Sequence, residues 1–228
     1  MLAVIAIGLG IGSLNPSFFW GIAKTLYDTL GNTAVHLILV FILSAIGIKQ
    51  RSGFLIGLIP FVILSLLGGS TYYRHASYFV AIEEPALTIF IFSGFALASL
   101  IASKKMTPPF DIDRLILMFS RVCLIIVNMG FWIGSLWGSE LGESTINATV
   151  FSLGWAAGLL AVGLWGMREG RQFVVNTSVI FGAIHFYTQW FARLGAYPLS
   201  LLTAGISALL LIKLMQRYNR RMNPALKS

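Results

Sequence analysis

Charge is what this sequence has least of. Its 228 residues include eight carboxylates, three histidines and a single cysteine, and charged residues make up 11% of the chain, against roughly a quarter in an average soluble domain. That shortage excludes an ordinary soluble enzyme. The lone Cys123 excludes an intramolecular disulfide and any Cys-x-x-Cys metal knuckle. No Gly-x-Ser-x-Gly elbow, His-Glu-x-x-His, Walker loop or dinucleotide-binding glycine loop is present. No catalytic residue, metal ligand or cofactor motif can therefore be named. Asp111 and Asp113 form an Asp-x-Asp pair without a third ligand nearby, and read as caps of the helix that follows Pro108-Pro109.

What fills the chain instead is apolar: 57% of residues are hydrophobic and the mean hydropathy is +0.84, which makes lipid its main solvent. Eight apolar runs emerge, at about 2–22, 33–48, 53–69, 85–101, 115–137, 148–166, 172–192 and 196–214. The expected fold is all-α, a polytopic integral membrane protein of about eight transmembrane helices over 1–228, with no soluble domain between spans. The count is seven if the first run, broken by Asn15-Pro16, does not cross. That run lacks a basic leader, since the first cation is Lys24, and reads as a retained membrane segment.

The net charge of +8 would suggest nucleic acid in a soluble protein; here it reads as topology. With the C-terminus cytoplasmic, the inside connections hold Lys49 and Arg51; Lys104, Lys105 and Arg114; Arg168 and Arg171; then Lys213, Arg217, Arg220, Arg221 and Lys227. The outside connections hold Lys24, Arg74 and Arg193. Twelve cations against three, alternating along the chain, obey the positive-inside rule. Trp132, Trp137, Trp190 and Tyr218 sit near span ends, as interfacial aromatics do.

The few polar residues within spans are the candidates for function. Arg121 lies about 9 Å inside the fifth span by helical rise, where it either snorkels or contacts a solute; with Asn128 and Ser135 it makes one seam. In the seventh span Ser178, Gly182, His185 and Gln189 recur at i, i+4, i+7 and i+11, a small-or-polar stripe on one face. His185 is either a proton-relay or ligand group, or interhelical glue. His36, near the outer start of the second span, reads as structural. Glu83 and Glu84, before Pro85, either mark a helix start or form a carboxylate pair at an outer mouth. Lys213, Arg217, Arg220 and Arg221 line one side of a continuing helix and should attract anionic lipid headgroups. Gly130, Gly134 and Gly138, with Gly154 and Gly158, offer close-packing faces and leave a homo-oligomer or another membrane protein open as partner.

Two stretches, NMGFWIGSLWG from Asn128 to Gly138 and NTSVIFGAIHFYTQWFARLGA from Asn176 to Ala196, resemble the C-terminal membrane region of a bacterial inner-membrane protein family of unknown function. The likeness covers about the last two thirds of the chain. It implies the bacterial inner membrane as location and supplies no activity, cofactor or site residue. Three readings follow. The first is a small path or pocket for a solute, proton or lipid, lined by the seam of the fifth and seventh spans. The second is a structural or assembly subunit. An intramembrane enzyme is the weakest, because no nucleophile–base pair is visible.

Overall fold

The computed structural model describes residues 31–74, 77–106, 109–141, 144–195 and 197–222; the first expected span, with Asn15-Pro16 and Lys24, lies outside them. Seven helices follow the remaining seven apolar runs: α1 (Asn32–Lys49), α2 (Gly53–Leu66), α3 (Pro85–Met106), α4 (Phe110–Trp137), α5 (Ala148–Arg168), α6 (Gln172–Leu194) and α7 (Pro198–Met222). Five of these, α1, α3, α4, α5 and α7, are long and apolar enough to cross a membrane. At 14 residues, α2 is about 21 Å long by helical rise, short of a hydrocarbon core of about 30 Å. Its run was expected to reach residue 69, but Gly68, at φ +82°, turns the chain out of the helix. The fragment α6 is long, yet its Gln, Asn and His side chains keep it out of the apolar set.

Two of the connections between apolar runs are β-hairpins. Strands β1 (Gly69–Arg74) and β2 (Ser77–Ile82) pair antiparallel from Gly69 with Ile82 to Arg74 with Ser77. Strands β3 (Ser139–Leu141) and β4 (Ser144–Ile146) pair antiparallel as well. The first hairpin is rich in Thr, Tyr, Phe and Val, residues that suit strands. Pairing also gives backbone groups partners beside an apolar phase, where unmet ones are costly.

The chain divides into two compact units, Met1–Ile146 and Asn147–Ser228. In the first, α4 is the hub. Its apolar window is 44% buried; Val122, Cys123, Ile126 and Ile133 pack with Phe92 of α3 and Leu64 of α2, and Leu115 with Leu43, Ile56 and Ile59. Gly130 lets α3 come close, since a Cβ there would stand 3.0 Å from Ile89 Cγ1 and 3.6 Å from the Pro85 carbonyl. Between α1 and α2, His36 is buried: its Nδ1–H donates to the Asn32 carbonyl at 2.7 Å, so Nε2 accepts from the Ser65 hydroxyl at 3.3 Å.

Both ends of this unit are marked. At one, Arg51 of the α1–α2 turn pairs with Asp111 in the first turn of α4. Asp111 and Asp113 therefore do not cap α4 with their side chains; Pro109 holds the cap position, and Asp113 accepts from Ser103 instead. At the other end the Ala86 amide donates to the Ser139 hydroxyl at 3.5 Å, drawing β3 to the start of α3. The cation-bearing connections thus share one end and the hairpins the other.

In the second unit α5 starts at Asn147, whose side-chain oxygen accepts from the Thr149 amide at 3.0 Å. Gly170, at φ +65°, turns α5 into α6, and the Arg171 guanidinium lies 5.6 Å from the Trp165 ring centroid. Only 6% of the apolar window of α7 is buried, so among the described residues this helix leaves most of its apolar surface uncovered.

Gly130→Leu is expected to destabilise the first unit by about 1–3 kcal/mol, the usual result of overpacking, as read by denaturant titration in detergent micelles. Gly158→Leu is the control, because a Cβ at Gly158 meets nothing within 4 Å, and it should be near neutral. Equal effects would contradict the close approach of α3 and α4.

Candidate functional site

In lipid, helices gain little from hiding apolar side chains from one another, so polar bonds and close contacts decide how they associate. The second unit is built that way. The contact of α6 with α7 carries four polar bonds at three levels: Trp190 Nε1 donates to the Ser200 hydroxyl at 2.8 Å, the Tyr187 hydroxyl meets the Ala204 carbonyl at 3.1 Å and Ser207 at 2.9 Å, and Gln172 donates to Asn219 at 3.0 Å. Helices α5 and α6 instead meet directly near their turn. A Cβ on Gly166 would sit 3.0 Å from Val174 Cγ1, and one on Gly163 would be 3.3 Å from Ser178 Cβ.

Away from those contacts a cleft of about 580 Å³ opens among α5, α6 and α7, within the usual size of a small-molecule pocket. Its walls are almost entirely apolar, with Leu160 and Met167 from α5, Val179 and Phe186 from α6 and Leu211 from α7. Ser178, His185, Tyr187 and Ser207 are its polar members. Gly182 keeps it open, since a Cβ there meets nothing within 4 Å. A second apolar groove, about 560 Å³, runs along the other side of the α6–α7 contact past Ile184, Thr188 and Met215.

His185 is half-buried and stands edge-on to Trp155, ring centroids 4.9 Å apart. Trp155 is 1% exposed and also touches Phe181. The Nδ1 of His185 is buried without a hydrogen-bond partner, a state that costs about 1–3 kcal/mol. No other titratable side chain lines the cleft except Tyr187, whose hydroxyl is already engaged. The arrangement suits holding an apolar body more than passing a proton.

The remaining predicted residues are distributed as follows. Ser178 and His185 share the cleft with Gly182, whereas Gln189, one turn on, is not part of its lining. Arg121, Asn128 and Ser135 belong to the first unit and line neither cleft. Arg121 is exposed; Asn128 is buried and donates to the Leu124 carbonyl at 2.8 Å, and Ser135 is buried and donates to the Trp132 carbonyl at 2.7 Å. These bonds run back into α4 itself, a known habit of short polar side chains. Glu83 is exposed beside Gly68, and the Glu84 carbonyl accepts from the Thr88 amide at 3.0 Å, which makes the pair a helix start. One Glu84 oxygen and the Thr88 hydroxyl are buried without partners. Lys213 and Arg217 are exposed on α7, while Arg220 and Arg221 lie outside the described side chains. Among the described residues no His, Cys, Asp and Glu group could hold a metal.

Comparison with protein-family models, curated proteins and solved structures finds no match.

Tyr187, Ser200 and Ser207 were not singled out from the sequence, yet a signal exists. Ser200, Thr203, Ala204 and Ser207 recur at i, i+3, i+4 and i+7, the same one-face period that marks α6. Tyr187→Phe is expected to cost the second unit about 0.6–1.7 kcal/mol, the measured scale of interhelical hydrogen bonds in membranes. Ser207→Ala should cost less, because the Ala204 carbonyl remains as a partner for Tyr187. Unfolding in mixed micelles checks this order; a neutral Tyr187→Phe would contradict the tie.

Proposed function

We propose that the chain is a multi-pass α-helical protein of the bacterial inner membrane, with about eight spans and a cytoplasmic C-terminus, whose second unit binds a lipophilic molecule between α5, α6 and α7. The observation that carries the reading is the cleft: about 580 Å³, apolar over nearly all its lining, with four polar groups on its walls. A soluble ion or sugar would lose its hydration there and find few partners in return; an acyl chain or similar apolar body loses nothing. The role is binding or transport of a membrane lipid rather than catalysis, and no cofactor is invoked.

The orientation is supported from within each unit. Arg51 and Asp111 bring the first two cationic connections to one end of the first unit, and Gln172 with Asn219 brings the cationic start of α6 to the cationic end of α7. Pairing of like connections is what the positive-inside rule requires of alternating spans. The inner membrane of a bacterium follows from the resemblance of the Asn128–Gly138 and Asn176–Ala196 stretches noted above.

Two measurements test the reading. In a Cys123→Ala background, thiols at Gln50 and Glu169 should label only from the cytoplasmic side and one at Thr145 only from the opposite side; labelling of Gln50 and Thr145 from one side would overturn the topology. Gly182→Leu should put a side chain into the cleft, where its Cβ meets nothing within 4 Å, and sharply reduce the lipid that stays with the purified protein, read by native mass spectrometry. An unchanged lipid content in the folded variant would favour the structural-subunit reading, in which the cleft receives a neighbouring helix.

A further inference from the structure

We propose that the occupant of the cleft is an anionic glycerophospholipid of the leaflet on the cationic side, its acyl chain lying along α6 and its phosphate held by Arg168, Lys213 and Arg217. This inference rests on the lipophilic-cleft reading and adds the chemical class, the leaflet and the residues that select it.

Length is the first argument. On α6 the lining runs from Val175 to Tyr187, about 18 Å by helical rise, close to half of a hydrocarbon core of about 30 Å. The cleft is thus as deep as one leaflet.

Asymmetry is the second. Met167 is the last lining residue along α5 and Leu211 the last along α7, and the chain continues past them into Arg168 and into Lys213 and Arg217. The Gln172–Asn219 bond puts the beginning of α6 and the end of α7 at one level, so these cations gather where the cleft begins. At the deep end the lining finishes on Phe186 and Tyr187, whose hydroxyl is already bonded to α7. An amphiphile with its charge at the mouth and its tail inward fits that polarity, and the reverse orientation does not.

Charge balance is the third. Residues 147–228 contain eight Lys and Arg but one carboxylate, Glu169. Arg168, Lys213 and Arg217 are exposed, and eight cations outnumber the one carboxylate whatever Glu169 pairs with. The second unit cannot neutralise its own cationic end. Anionic headgroups can, at a gain of about fivefold in affinity per cation, equivalent to ~1 kcal/mol each.

The test uses the full chain, delipidated in detergent and titrated with phosphatidylglycerol or phosphatidylcholine of matched acyl chains, with bound lipid counted by native mass spectrometry. Wild type should prefer phosphatidylglycerol. Lys213→Gln with Arg217→Gln should lower phosphatidylglycerol affinity about fivefold for each cation removed and leave phosphatidylcholine binding unchanged, whereas Lys213→Arg with Arg217→Lys, which keeps the charge and controls for folding, should retain the preference. Gly182→Leu should lose both lipids. A preference that survives the glutamine pair overturns the headgroup assignment but not the cleft. Phosphatidylglycerol binding that survives Gly182→Leu while the glutamine pair abolishes it means surface adsorption only, and overturns the seated lipid. Both lipids unaffected by Gly182→Leu sinks the cleft reading itself.

Discussion

Lipid tails are as apolar as leucine, so two helices immersed in them have no hydrophobic reason to prefer each other. In the proposed membrane setting, the described helices associate in two ways that meet that constraint. The first unit answers with close approach and shared hydrogen bonds: Gly130 seats α4 against the Pro85 carbonyl and Ile89, Gly47 makes room for Ile56, and His36 reaches Ser65 across α1 and α2. Around α4 this yields two continuous buried clusters. The second unit answers mainly with polar ties. Tyr187, Trp190 and Gln172 fasten α6 to α7 at three levels, and where no tie or small-residue contact draws the helices together, grooves remain on both sides of their contact.

Two ways of holding helices therefore leave different spaces. Close packing consumes volume, and within it Asn128 and Ser135, buried in α4, each donate to a carbonyl of their own helix. Point ties leave volume between them. In the second unit that volume is walled by apolar side chains, and α5 and α7 run on past their last lining residues, Met167 and Leu211, into Arg168 and into Lys213 and Arg217. A membrane lipid matches both features, because the tail fills what the ties leave open and the headgroup meets charge that the chain does not neutralise.

Much of this architecture was legible in the sequence. Apolar run length placed the helices, with 172–192 expected against Gln172–Leu194 and 148–166 against Ala148–Arg168, because an apolar run of about 20 residues is what a helical span needs. The stripe Ser178, Gly182, His185 was legible too, since a 3.6-residue period survives folding unchanged and the three line one cleft. Three things were not. The hairpins were hidden because a hydropathy window sees short polar connections and not strand pairing. Of the seam of Arg121, Asn128 and Ser135, the bonds that Asn128 and Ser135 make to carbonyls of α4 were not legible, because periodicity does not show a side chain bonded to the preceding turn. Tyr187 was passed over because its hydroxyl sits on an otherwise apolar face, and its partner in α7 was twenty residues away.

The central claim is that a lipid acyl chain occupies the space left between the ties of α5, α6 and α7. Photocrosslinking with a phospholipid that carries a diazirine near its acyl terminus, followed by peptide mapping, tests it most directly. Adducts concentrated on cleft-lining positions such as Leu160, Gly182 and Phe186, and displaced by excess unlabelled phosphatidylglycerol, are the predicted result. Adducts spread over the exposed leucines of α7, with none at Gly182 and no displacement, would contradict it.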